Sequence, residues 1–210
     1  MEILHFGNPH SANVLMQPVG EHDISEIEAE VLKIKEFTDV EFQLAAVKVD
    51  SWNDDLSPWK APAVFGKTDF GGNAENTLSA ITKLCDDPEK RYYIGGYSLA
   101  GLFSIWAACQ TNIFSGVAAA SPSVWFPQFV TYIKKHSTKA SAVYLSLGNK
   151  EEKTRNEIMA KAGECIRECK DILTEQNVDC VLEWNEGNHF KDTGIRTAKA
   201  FAWVLSQKPE

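Results

Sequence analysis

Arg91-Tyr92-Tyr93-Ile94-Gly95-Gly96-Tyr97-Ser98-Leu99-Ala100-Gly101-Leu102-Phe103-Ser104-Ile105-Trp106 is the stretch from which the fold can be read. A β-rich run ends in two glycines, a serine follows, and an apolar helical pattern begins at once. This is the layout of a nucleophile elbow, a strand-to-helix turn so tight that its serine takes a strained backbone conformation and projects its hydroxyl away from the sheet. Small residues are required on both sides of the turn. Gly96 and Ala100 occupy the positions two before and two after Ser98; Ala100 stands where G-x-S-x-G has its second glycine, and Gly101 comes one residue late.

Upstream, Ile3 to Phe6 reads as a short strand and Asn13 to Val19 as a second, with Pro18 near its end. Asp23 followed by Glu26 has the capping-box pattern of a helix start. Ile24, Ile27, Val31 and Ile34 recur at helical spacing and predict one buried face, with Glu28, Glu30 and Lys35 among the solvated positions. Phe42 to Val49 is near-continuously apolar, as a central parallel strand should be. It opens into the long segment from Asp50 to Pro62, whose Trp52 and Trp59 either line a pocket or pin the loop to the core. Asn73 starts another amphipathic helix, which carries Leu78, Ile81 and Cys85 on its apolar side.

Downstream, Gly116 to Ala120 is a strand of small residues, and Ala142 to Leu147 is a strand that ends at Gly148. A long helix with Ile158, Ala162, Cys165, Ile166, Cys169 and Leu173 on one side follows. Cys180 to Trp184 is the last strand and Ile195 to Leu205 the last helix. Strands alternating with helices imply right-handed crossovers and a mostly parallel sheet of about six strands.

The 210 residues suit one domain, 1–210, and the net charge of -8 supplies no basic stripe for nucleic acid. No apolar stretch is long enough to span a bilayer, and Met1 to Phe6 lacks the features of a signal peptide, so a cytoplasmic address is expected. Five cysteines without dense spacing fit reduced thiols. Cys165 and Cys169 share a helix face, but no histidine lies near them to complete a metal site. Neither metal nor organic cofactor is expected.

In an open parallel sheet, ligands bind beyond the carboxyl ends of the strands. Ser98, Glu151 with Glu152, and His189 each follow a strand. His189 lies in Glu186-Gly187-Asn188-His189-Phe190-Lys191-Asp192, where Gly187 lets the backbone turn. Ser98 is the expected nucleophile and His189 the expected general base. Gly148-Asn149-Lys150-Glu151-Glu152 supplies the acid, with Glu151 favoured for its place beyond the glycine and Glu152 expected to face solvent. Serine, acid, histidine is the chain order of the α/β-hydrolase triad. The backbone N–H of Leu99 is one expected oxyanion donor and that of Gly20 the other. Trp59 and Trp125 follow strands at the same edge, so at least one is expected to contact substrate.

Gly96-Tyr97-Ser98-Leu99-Ala100-Gly101-Leu102-Phe103, Ser121-Pro122-Ser123-Val124-Trp125 and Gly187-Asn188-His189-Phe190 together resemble the α/β-hydrolase esterase family that includes esterase D and the enterobactin esterases. The likeness covers the chain from about Tyr92 onward. It implies a three-layer α/β-hydrolase fold, here in a minimal form without a cap domain, and a serine carboxylester hydrolase acting on a small-molecule or carbohydrate-linked ester. An acyltransferase using the same residues, or a binding protein that keeps the fold without catalysis, are the alternatives. The oligomeric state is left open.

Overall fold

The computed structural model describes residues 2–64 and 66–207. Its main sheet is built from β1 (Ile3–Gly7), β2 (Asn13–Val19), β3 (Gln43–Lys48), β6 (Arg91–Tyr97), β7 (Phe114–Ala120), β8 (Ala142–Gly148) and β9 (Asp179–Asn185). Their order is β1-β3-β2-β6-β7-β8-β9. Only β1 runs antiparallel, through its pairing with β3; the other six strands are parallel. Alanine and glycine dominate β7 because helices press on both of its faces, leaving Val117, Ala118, Ala119 and Ala120 with no exposed surface.

Helices α1 (Ile27–Phe37) and α7 (Thr193–Ser206) cover one face, and α3 (Ala74–Thr82), α4 (Leu99–Gln110), α5 (Phe129–Lys135) and α6 (Ala162–Glu175) the other. Side chains alternate across each strand, so β2 sends Val14 and Met16 to the α4 side and Leu15 and Val19 to the α1 side. Gln17 belongs to this second set.

The chain turns left along the sheet after β2 and right after β6, so these two neighbours form the topological switch point. Their pairing stops at Met16 opposite Ile94, whereas β2 stays paired with β3 as far as Val19. Beyond Met16 the two strands part. The crevice they leave at their carboxyl ends is where the site lies.

Three local expectations are corrected. Asp23 makes no side-chain cap; its Oδ2 instead accepts the N–H of Gly20 at 2.8 Å, the first turn is a 3-10 turn over Ile24–Glu26, and α1 starts at Ile27. Ile158 is 42% exposed and outside α6, because Asn156 Oδ1 takes the N–H groups of Ile158 and Met159 and sets a separate turn first. The segment after β3 is not all loop: it holds the short helix α2 (Trp52–Asp55) and the two-residue strand β4 (Lys60–Ala61), paired with β5 (Phe70–Gly71). The thiols of Cys85, Cys109, Cys165, Cys169 and Cys180 are free. No helix among the described residues is long and apolar enough to cross a membrane.

Candidate active site

Ser98 directly follows β6, with φ 57° and ψ -117°, the strained geometry expected of the elbow. The sequence permits the turn by its small flanking residues. A Cβ on Gly96 would stand 2.7 Å from the Cβ of Ala100, a separation that real side chains essentially never reach. The Ser98 N–H is held by the Ala120 carbonyl, and its own carbonyl accepts from Leu102 and Ser123, so the turn is fixed from three sides.

His189 Nε2 lies 3.0 Å from Ser98 Oγ, and His189 Nδ1 lies 2.7 Å from Glu151 Oε2. Three residues from three strand ends thus form one hydrogen-bonded chain. Gly187 has φ +109°, a conformation that favours glycine, and it turns the loop that delivers His189. The adjoining Glu152 points away, its carboxylate 3.3 Å from Arg167 at the surface.

Arg196, on α7, organises the acid and is absent from the sequence-based expectations. It is 1% exposed. Its Nη1 donates to Glu151 Oε1, Tyr97 Oη and Ser121 Oγ at 3.0, 3.1 and 3.2 Å, and its Nη2 to the carbonyls of Glu186 and Asn188. One guanidinium therefore ties together the acid, the elbow strand and the histidine loop. The signal for it was an arginine in helical register with Ala200 and Val204, two buried positions of the same helix.

Glu151 Oε1 also accepts from the Ser121 hydroxyl at 2.8 Å and the Gly148 N–H at 2.7 Å. Burial pushes this carboxyl up, but hydrogen bonding and charge interaction with His189, together with the Gly148 and Ser121 donors, outweigh it and hold it below the usual range. It stays ionised, as a group that orients an imidazole and balances an imidazolium must. Tyr97 is driven the other way: burial raises its phenol to about 12, so its hydroxyl remains a donor to the His189 carbonyl at 2.7 Å.

A cavity of about 330 Å³ opens beside Ser98 and His189, walled by Trp52, Ile27, Phe190, Thr193 and Thr197 among others. Phe190 is 84% exposed, its ring edge-on to His189. Trp59 and Trp125 are not among the residues that line this cavity. Trp59 donates to the Pro127 carbonyl and packs on Phe126 and Tyr132, which makes it a pin for its loop; Trp125 is half-buried against the core of the α4 face. The tryptophan that reaches the cavity is Trp52.

The two backbone amides expected as oxyanion donors divide likewise. Leu99 opens α4, where first-turn amides have no acceptor within the helix, and among the described residues its N–H has no backbone acceptor, so it can serve a ligand at Ser98. The N–H of Gly20 is occupied by Asp23 Oδ2, which withdraws it from that role. Ser123, which sequence reading did not single out, brings its hydroxyl to 3.2 Å from Ser98 Oγ.

Glu30 overturns its expected solvated position. It is 7% exposed on α1, lines the cavity, and is raised by burial, against a hydrogen bond from Gln17 and with the charge of Asp23, to about 8. Helical register explains the burial: Ile27 lies one turn before Glu30 and Ile34 one turn after it on the buried side. An acid whose pKa rises on folding stabilises the fold fully below its unfolded value, near 4.5, and loses that contribution as pH climbs toward about 8. Stability should thus fall by roughly 1.4 kcal/mol per pH unit across that window from this group. Glu30→Gln should flatten the slope and raise the melting temperature relative to wild type at pH 8. Parallel melting curves of the two proteins from pH 5 to pH 9 would show this group to be inert.

No protein-family model matches the chain, and no curated protein matches it by sequence. Solved structures do match. An IroE-like serine hydrolase from Shewanella oneidensis superposes with a TM-score of 0.78 at 15% identity, over 97% of this chain and 75% of the other. The siderophore hydrolase EstA from Aspergillus nidulans gives 0.68 at 18%, over 95% and 85%. The enterobactin esterase FES from Shigella flexneri gives 0.60 at 13%, over 96% of this chain but 55% of its own. At such identities the likeness is one of architecture, and the architecture is the α/β-hydrolase fold.

Proposed function

We propose that the chain is a serine carboxylester hydrolase. The observation that carries this reading is the hydrogen-bonded line from Glu151 through His189 to Ser98 at the switch point of the sheet. Ser98 Oγ attacks the ester carbonyl while His189 Nε2 takes its proton. Glu151 keeps the imidazole in the tautomer that can accept it, and balances the imidazolium. The oxyanion forms against the N–H of Leu99, a donor type worth about 10²–10³ in kcat. The imidazolium then protonates the departing alcohol. Water, deprotonated by the same histidine, releases the acid from Ser98.

A cavity of about 330 Å³ lies at the small end of ligand sites and has apolar walls in Trp52, Ile27 and Phe190, which supports a small occupant. The substrate is therefore an ester with a small group on the cavity side. The named activities of the structural neighbours on siderophores agree with ester hydrolysis and do not choose the acyl group.

The test is covalent. A fluorophosphonate should label the wild-type protein at Ser98, and a panel of p-nitrophenyl esters should be turned over with a preference for short acyl chains. Failure of both would favour a binding protein that keeps the fold. Transfer of the acyl group to added alcohol in preference to water would convert the reading to an acyltransferase.

A further inference from the structure

The cavity beside Ser98 carries chemistry that ester hydrolysis leaves unused. Gln17 and Glu30 both line it, and are 5% and 7% exposed. Oε1 of Gln17 and Oε1 of Glu30 are buried without a hydrogen-bond partner among the described residues. Buried polar atoms are nearly always paired, because an unpaired one loses its bonds to water and gains nothing in return. Gln17 already hydrogen-bonds the Glu30 carboxyl, and while that carboxyl is neutral its own proton can serve one of the two oxygens; what the pair lacks is a donor for the state in which Glu30 is ionised.

The other groups facing the cavity decide the charge of that donor. Asp23 and Glu26 come from the turn before α1, with His22 beside them; Tyr97 comes from the end of β6 and His189 from the loop after β9; α7 contributes Thr193, Gly194 and Thr197. Among the described residues neither lysine nor arginine lines the cavity. An anionic group would meet three carboxyl side chains with no fixed cation to offset them. A group bearing several N–H donors and a positive charge would suit an ionised Glu30 and the Gln17 amide in the same wall.

We propose that this cavity binds a primary ammonium group of the substrate, held by Gln17 Oε1 and the Glu30 carboxyl while the ester carbonyl lies at Ser98. The placement of the ester rests on the hydrolase reading; the ammonium site rests on the cavity wall alone. In the free protein burial keeps Glu30 protonated up to about 8, so capture of a cation ionises it and releases a proton. Affinity for the cation consequently rises with pH from 6 toward 8.

The probes are n-pentylammonium and n-pentanol, of equal length with and without the charge. Their binding to the Ser98→Ala protein is read by calorimetry and thermal shift, and their competition with p-nitrophenyl acetate is read on the wild type. Pentylammonium should bind at least tenfold tighter than pentanol, tighten several-fold between pH 6 and pH 8, and compete with the ester. Adding Glu30→Gln to Ser98→Ala should erase the preference, and Gln17→Leu should weaken it where Glu30→Gln fails to fold. Equal binding of the two probes, or a preference untouched by either substitution, overturns the proposal. A wild type that is neither labelled by fluorophosphonate nor active on p-nitrophenyl acetate would sink the hydrolase reading instead, and the Ser98→Ala measurements would still decide the ammonium site.

Discussion

Ser98→Ala is expected to lower kcat for ester hydrolysis by about 10⁵–10⁶ while the protein remains folded. The loss is large because the triad acts as a unit: without the hydroxyl there is no acyl-enzyme, and His189 has no proton to move. Stability should change little. The side chain gives up contacts to His189 Nε2 at 3.0 Å and Ser123 Oγ at 3.2 Å, both at the edge of a cavity rather than in the core, and the strained φ of 57° persists with alanine. Turnover and melting temperature are measured on the same preparation. Activity above about one part in a hundred would move the nucleophile, and the nearby Ser123 hydroxyl would be the first place to look.

Glu151→Gln is expected to lower kcat by about 10⁴ with little change in KM. An amide faces conflicting demands at this position. Its oxygen can accept from His189 Nδ1, or from the Gly148 N–H, Ser121 hydroxyl and Arg196 guanidinium, but its NH₂ then meets a donor on the other side. The substitution also leaves Arg196 charged and buried without its carboxylate, a loss of about 3–5 kcal/mol for a broken buried pair. Because folding lowers the pKa of Glu151, its contribution is present above the ordinary carboxylate range and is lost as pH falls through the depressed value. Glu152→Gln breaks only a surface contact with Arg167 and should cost under about 1 kcal/mol with no kinetic effect. The opposite pattern in kcat would shift the acid by one residue, and two silent variants would leave a dyad of Ser98 and His189.

Much of this architecture is written in short windows of sequence. Gly96, Ser98 and Ala100 mark the elbow because the steric limits of a tight turn act within a few residues, and near-continuous apolar runs such as Phe42 to Val49 mark central strands because both faces of a parallel sheet are covered. Chain order placed Ser98, the Glu151-Glu152 pair and His189 at one sheet edge, and the structure brings Ser98 and Glu151 each within hydrogen-bond reach of His189. What the windows could not contain is the partner across the fold. Arg196 looks like a surface cation on a helix until α7 packs over β6 and β7 and sets it against Glu151. Glu30 sits in register with Ile27 and Ile34, yet only the packing of α1 beside α7 makes that register a buried one and turns the residue into a neutral acid. Trp59 and Trp52 are equivalent as sequence, two aromatics in one long connection that both pack on the core, and only the fold sets Trp59 against Phe126 and Tyr132 and brings Trp52 to the cavity wall. Backbone sterics and periodicity are local quantities, fixed by the residues themselves. Burial, charge state and access to the cavity depend on what packs opposite, and that is decided only when the layers close.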